Sequence, residues 1–307
     1  LYTQTVNTKF VKKSAAVFSA AVITCAAFAD KTENKKETIN IWPKGQMAGM
    51  DADKVSAKKT TETPRLSLYL PKTDKKTGFM IICPGGGYGG LASGHEGTEI
   101  AEWLADEEIP CAILHYRVPN MPNGALMDIQ RAIKLVRSNA EKWNIDPNKI
   151  AIMGFSAGAN LCARASTQFD TQTYTPVDAA DSMSSRPDFT GLIYPAYCDK
   201  PGNDKRWKNK DLLPADTDYG TLYALAENLN ITKNTPPAII IQTQDDYYAN
   251  AAIAYYLALK KNGVPANLFM FDRGGHGYGL HNKTDFVSEW KDLFEKWLEL
   301  NRFDGEK

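Results

Sequence analysis

Polar and apolar positions follow two rhythms along this chain. Apolar runs occupy 79–83, 111–116, 150–153, 191–194, 238–241 and 267–271. They are short and nearly continuous, which predicts strands buried on both faces. Between them, apolar residues recur at helical spacing over 128–136, 251–259 and 286–300, with a shorter helix-like run over 160–165. Alternating strands and helices predict an α/β fold: a mostly parallel central sheet with helices on both faces. Residues 65–70 alternate instead, and Pro71 ends them, as an edge strand would end. The stretch 199–236 has no clear period and reads as a small lid-like insertion. The polar, lysine-rich stretch 30–64 reads as an arm or linker, with Ile41-Trp42-Pro43 packing on the domain edge. The catalytic domain is therefore expected over 65–303.

The first residues follow a third pattern. Lys9, Lys12 and Lys13 precede a small, apolar run over 14–26, and Ala27-Phe28-Ala29 has the A-x-A form of a cleavage site. This predicts a signal peptide over 1–29 and a secreted or periplasmic protein with no stable membrane insertion after cleavage. A lipid anchor on Cys25 is the alternative, and Thr24 in front of it argues against that. Over the full 307 residues the charge balance is neutral: 36 basic and 36 acidic side chains. Nothing in that charge invites nucleic acid or an anionic membrane. Cys83, Cys111, Cys162 and Cys198 each lie in or beside a predicted core element, which favours buried free thiols over disulfides. No CxxC is present, so a zinc ribbon is not expected.

The chemistry concentrates at Gly154-Phe155-Ser156-Ala157-Gly158. This G-x-S-x-G follows an apolar strand and opens a helix, the setting of a serine on a sharp strand-to-helix turn. The Ala157 amide then lies at a helix N-terminus, ready for an oxyanion. A serine hydroxyl needs a base, and the base needs an orienting acid. Of the four histidines, His276 lies in the glycine-rich loop Arg273-Gly274-Gly275-His276-Gly277 after the last strand. His281 is the fallback, His115 lies within a strand, and His95 precedes the serine, the wrong order for a base. Asp245 and Asp246 follow the preceding strand, and the residues alone leave both open as the acid. The loop Gly85-Gly86-Gly87-Tyr88-Gly89-Gly90 follows an early strand, where a second oxyanion amide is expected. A phosphate loop is the rival, and the G-x-x-x-x-G-K-[ST] pattern is missing.

With these residues in place, the chain resembles the α/β-hydrolase superfamily, and within it the bacterial acetylxylan esterases and related carbohydrate esterases. The resemblance runs from about Trp42 to near the C-terminus. It is carried by Cys83-Pro84-Gly85-Gly86-Gly87-Tyr88, His95-Glu96-Gly97, Tyr116-Arg117, Trp143-Asn144-Ile145-Asp146-Pro147, the serine elbow, Asp245-Asp246 and Gly274-Gly275-His276-Gly277. Ala159-Asn160 and Ala249-Asn250 depart from the Gly-His and Val-Pro pairs common there. The resemblance implies an α/β-hydrolase fold with Ser156 as nucleophile, Asp246 as acid and His276 as base. It places the oxyanion amides near Gly86, Gly87 and Ala157. The implied substrates are short-chain acyl esters, foremost acetyl, on plant cell-wall oligosaccharides such as acetylated xylan. A feruloyl or general short-chain carboxylesterase is the alternative, and a non-catalytic hydrolase-like binding protein the more distant one. The implied reaction needs no cofactor and no metal. Tyr88, Trp207, Tyr247 and Tyr278, with Tyr219 beside them, are the aromatics expected to stack on sugar rings, against a plainer reading as packing residues.

Overall fold

The computed structural model describes residues 35–49, 63–200, 218, 220, 223–281, 285–303 and 305. The expected signal peptide, Trp207 and Tyr219 lie outside them. Among the described residues, eight strands form one sheet: β1 Lys35–Asn40, β2 Arg65–Leu70, β3 Thr77–Cys83, β4 Cys111–His115, β5 Ile145–Phe155, β6 Phe189–Ile193, β7 Ala238–Thr243 and β8 Ala266–Phe271. Their order is β1-β2-β4-β3-β5-β6-β7-β8. The strands from β4 to β8 in that order run parallel, whereas β2 is antiparallel to both β1 and β4. Among the described residues, the α-helices are α1 Glu99–Asp106, α2 Pro122–Ser138, α3 Ala157–Thr167, α4 Ala249–Lys261 and α5 Trp290–Leu300.

The apolar strands run continuously because each face has its own helical cover. Along β3, Phe79, Ile81 and Cys83 join one core with Ile129 and Ile133 of α2, Leu161 of α3 and Tyr255 of α4. The intervening Met80 and Ile82 join the other core with Leu104 of α1 and Trp290, Phe294 and Trp297 of α5. The period-2 alternation of a strand thus divides one apolar run between two cores.

Three details differ from the sequence expectation. Residues 35–40, within the expected arm, form β1 and pair with β2, so the sheet edge lies one strand beyond Arg65–Leu70 and the folded unit starts before 65. The helix expected over 286–300 is a 3-10 turn, Phe286–Glu289, followed by α5. α1 carried no separate sequence signal.

Chain leaving β1 is pinned to α2 by buried charge. Asp128 accepts from Trp42 Nε1 at 2.7 Å, from Arg117 Nη2 at 2.9 Å and from the Arg117 amide at 2.9 Å. Arg131 Nε donates to Ile41 O at 2.9 Å. The described part of 199–236 folds back on itself, with Lys200 N bonded to Ala224 O at 2.8 Å and Ala226 N to Cys198 O at 3.0 Å. Cys83, Cys111, Cys162 and Cys198 are free and buried. Among the described residues, no helix is long and apolar enough to cross a membrane.

Candidate active site

The site lies at the C-terminal ends of the parallel strands, where loops converge over the sheet. Ser156 sits between β5 and α3 with φ 52° and ψ −119°. Only glycine fits on either side of that turn. A Cβ on Gly154 would stand 2.3 Å from Gly158 O, and one on Gly158 would stand 2.1 Å from Cys83 O. The G-x-S-x-G spacing is therefore a packing requirement as well as a chemical one.

Ser156 Oγ lies 2.8 Å from His276 Nε2, and His276 Nδ1 lies 2.7 Å from Asp246 Oδ2. One tautomer satisfies both contacts: Nδ1–H donates to the carboxylate, and Nε2 accepts from the serine hydroxyl. The Asp246 side chain is fully buried, and its other oxygen accepts from Tyr248 N at 2.8 Å. Asp245 has a different task. It accepts from the amides of Gly274 and Gly275 at 3.3 and 2.9 Å, and so folds the loop that carries His276. Burial would raise the Asp245 pKa, but the Gly275 amide, the Thr243 hydroxyl and the Gly274 amide outweigh it and hold the carboxyl below its ordinary 3.8.

The glycine-rich loop stands over the serine. Gly86 O accepts from the amides of Gly89 and Gly90 at 2.9 and 3.2 Å, which closes the loop into a tight turn. Among the described residues, the amides of Gly86, Gly87 and Ala157 donate to no protein acceptor. Beneath the loop is Glu96, a buried carboxylate that sequence reasoning left without a role. Its Oε2 accepts from Gly85 N at 2.7 Å, and its Oε1 accepts from Tyr194 Oη at 2.9 Å. Tyr194 Oη in turn accepts from Gly279 N at 3.2 Å, in the loop after His276. One carboxylate thereby connects the expected oxyanion loop to the histidine loop. Burial, joined by the Glu96 charge, pushes the Tyr194 phenol well up, so the hydroxyl remains a donor.

The aromatic residues divide in an order the sequence did not reveal. Tyr278, expected to meet substrate, is buried, and its ring packs edge-on against Tyr194 at 4.5 Å. Tyr194 packs against both the His276 and the Tyr278 rings, so Tyr278 is a packing residue rather than a sugar contact. Tyr88 is also largely buried, and its hydroxyl donates to Asn160 Oδ1 at 2.9 Å, yet its ring lines a cavity beside the loop. Tyr247 is exposed and meets Tyr248 edge-on at 5.0 Å. Two tyrosines absent from the expectation border the site. Tyr248 lies 5.2 Å from the His276 ring, and Tyr197 lies 5.3 Å from Tyr248. His281 pairs with Glu99 at 2.7 Å, and His115 contacts Ser67 and Arg65, so neither joins the serine. Positive φ marks this region: 58° at Tyr88, 52° at Ser156, 38° at Tyr194 and 56° at Tyr197. Non-glycine residues held there carry strain, which tends to concentrate at functional sites.

Parallel strands that bring a serine elbow, an aspartate and a histidine together in that chain order define an α/β-hydrolase. More narrowly, the chain belongs to the BD-FAE family, whose model matches residues 66–260. An acetylxylan esterase of Xylanibacter ruminicola is 32% identical over 245 residues, 75% of this chain and 47% of that protein. Endo-1,4-beta-xylanase B of Butyrivibrio fibrisolvens is 34% identical over 240 residues, 74% of this chain and 36% of that protein. The chain thus spans less than half the length of either relative. The crystal structure of an acetyl ester-xyloside bifunctional hydrolase from Caldicellulosiruptor lactoaceticus superposes with a TM-score of 0.70 at 33% identity, over 88% of this chain and 98% of that one.

Proposed function

We propose that this chain is a serine esterase that removes short acyl groups, foremost acetyl, from cell-wall oligosaccharides such as acetylated xylan. The observation that carries the reading is the hydrogen-bonded chain from Ser156 through His276 to Asp246, at 2.8 and 2.7 Å. His276 takes the proton of Ser156 as its oxygen attacks the ester carbonyl. Asp246 orients the imidazole and stabilises its charged form. The amides of Gly86, Gly87 and Ala157 receive the developing oxyanion. The sugar hydroxyl leaves with the proton from His276, and water cleaves the acyl-enzyme by the same steps. The names of the similar esterase and of the superposed hydrolase support the substrate class.

Export belongs to the same reading, since a polymeric glycan stays outside the cell. A mature form that begins at Asp30 is expected, and N-terminal sequencing of secreted protein checks it. The activity is tested by acetate release from acetylated xylan and xylo-oligosaccharides beside 4-nitrophenyl acetate, with Ser156→Ala as control. Release that vanishes in the variant is expected. Hydrolysis of the nitrophenyl ester alone would move the substrate to other esters, and unchanged release by Ser156→Ala would end the reading.

A further inference from the structure

Beside the glycine-rich loop lies a cavity of about 660 Å³, within the size range of small-molecule sites. Its walls include Tyr88, Asn123, Asn160, Arg164, Tyr197 and Lys200. It adjoins the serine through two elements. Tyr88 follows Gly87, where a Cβ would stand 3.9 Å from Tyr197 Oη. Asn160 lies in the first turn of α3, its amide bonded to Ser156 O at 3.2 Å.

Arg164 is the unusual wall residue. It is only 5% exposed, yet among the described residues no carboxylate pairs with it. Nη1 donates to Pro122 O at 2.6 Å, and Nη2 donates to Asn123 Oδ1 at 2.9 Å. Among the described residues its buried Nε meets no acceptor in hydrogen-bond geometry, and the Tyr88 phenol is a further polar neighbour. The other buried arginines differ: Arg117 pairs with Asp128, and Arg131 pairs with Asp178 and Asp181. A guanidinium withdrawn from water without a counter-ion is costly and suits a site that receives an anion. At the rim, Lys200 pairs with Glu227 at 3.2 Å, so those two charges offset each other, and among the described residues no carboxylate cancels the Arg164 charge. The rest of the wall suits a sugar. Tyr197 offers a half-open ring, Asn123 lies in the same wall, and Asn160 fixes Tyr88 and Tyr197 around it through its Oδ1 and Nδ2.

We propose that this cavity is a subsite for an acidic sugar: a uronic-acid unit on the leaving-group side of the ester, whose carboxylate pairs with Arg164. The proposal rests on the serine-esterase reading and narrows its substrate.

The test compares kcat/KM for acetate release from acetylated xylo-oligosaccharides with a glucuronic acid branch and from the same compounds after carboxyl reduction. At low salt the acidic substrate is expected to be preferred about tenfold, the effect of one charged hydrogen bond. Added salt shrinks that preference, and Arg164→Gln brings the ratio close to one. Equal kcat/KM for the acidic and reduced substrates in the wild type overturns the proposal, whether or not Arg164→Gln folds. A full preference retained by folded Arg164→Gln overturns it as well. Turnover of 4-nitrophenyl acetate with a flat glycan ratio defeats the subsite and leaves the esterase standing. Calorimetry decides the subsite without turnover. The unacetylated acidic oligosaccharide should bind Ser156→Ala more tightly than its carboxyl-reduced twin, and equal binding contradicts the assignment.

Discussion

Glu96 and Asp128 are both carboxylates shut away from water, at 3% and 0% exposure. Their surroundings differ. Asp128 faces the Arg117 guanidinium at 2.9–3.1 Å, with the Trp42 indole N–H and a backbone amide on its remaining lone pairs. Its charge is neutralised, and the cluster joins the chain after β1 to α2. Among the described residues, Glu96 has only a backbone amide and a phenol in hydrogen-bond reach, with His95 Nε2 farther away at 3.7 Å. A buried charge compensated so sparingly is expensive. Here it holds Gly85 of the loop above Ser156 and, through Tyr194, Gly279 of the loop after His276. A fully paired buried carboxylate marks a structural clamp, whereas a sparsely paired one beside reacting groups marks a part of the machinery.

Substitutions can break that contrast. Asp246 is a third buried carboxylate, and it touches the histidine itself. Asp246→Asn should leave the melting temperature nearly unchanged and lower kcat by about 10⁴-fold, because the imidazole loses its orienting acceptor. Asp128→Ala should do the reverse. It strands a buried guanidinium and should cost about 3–5 kcal/mol in urea unfolding, while kcat per folded molecule stays close to wild type. Glu96→Gln should lie between them. The positioning of two loops is disturbed, so kcat should fall by up to about 10²-fold while KM changes little. A purely structural Glu96 would instead lower stability and leave kcat unmoved.

The smallest effect concerns Asp245. Its carboxyl is held below its ordinary 3.8 in the folded loop. Its contribution to stability is thus present at neutral pH and fades as the pH falls through the acid range below that value. Asp245→Asn should therefore narrow the stability gap between pH 7 and pH 3 on thermal unfolding, because the group responsible has been removed.

How much of this was legible in the sequence depended on the distance between partners. The elbow at Ser156 and the loop at His276 could be read because glycine spacing and chain order are local signals. Asp245 and Asp246 could not be separated by residue type. They are neighbours that face different partners, and only the family resemblance pointed to Asp246. β1 escaped notice because Lys35–Asn40 is polar, with Ile39 as its one apolar residue, and its edge position asks for little more. Glu96, Tyr194 and Arg164 carry no spacing signal, since Glu96 and Tyr194 meet across 98 positions of chain. Tyr278 could be read as a sugar contact or as packing, because residue type does not say which way a loop aromatic turns. In the fold it turns inward against Tyr194.

The central claim is that Ser156 is the nucleophile. Its most direct test is labelling with a serine-directed phosphonate, followed by peptide mass analysis, with residual acetate release measured on the same samples. The account predicts one adduct per chain, located on Ser156, with activity lost in proportion to labelling. An adduct on another residue that abolishes activity, or full labelling of Ser156 with activity intact, would contradict it.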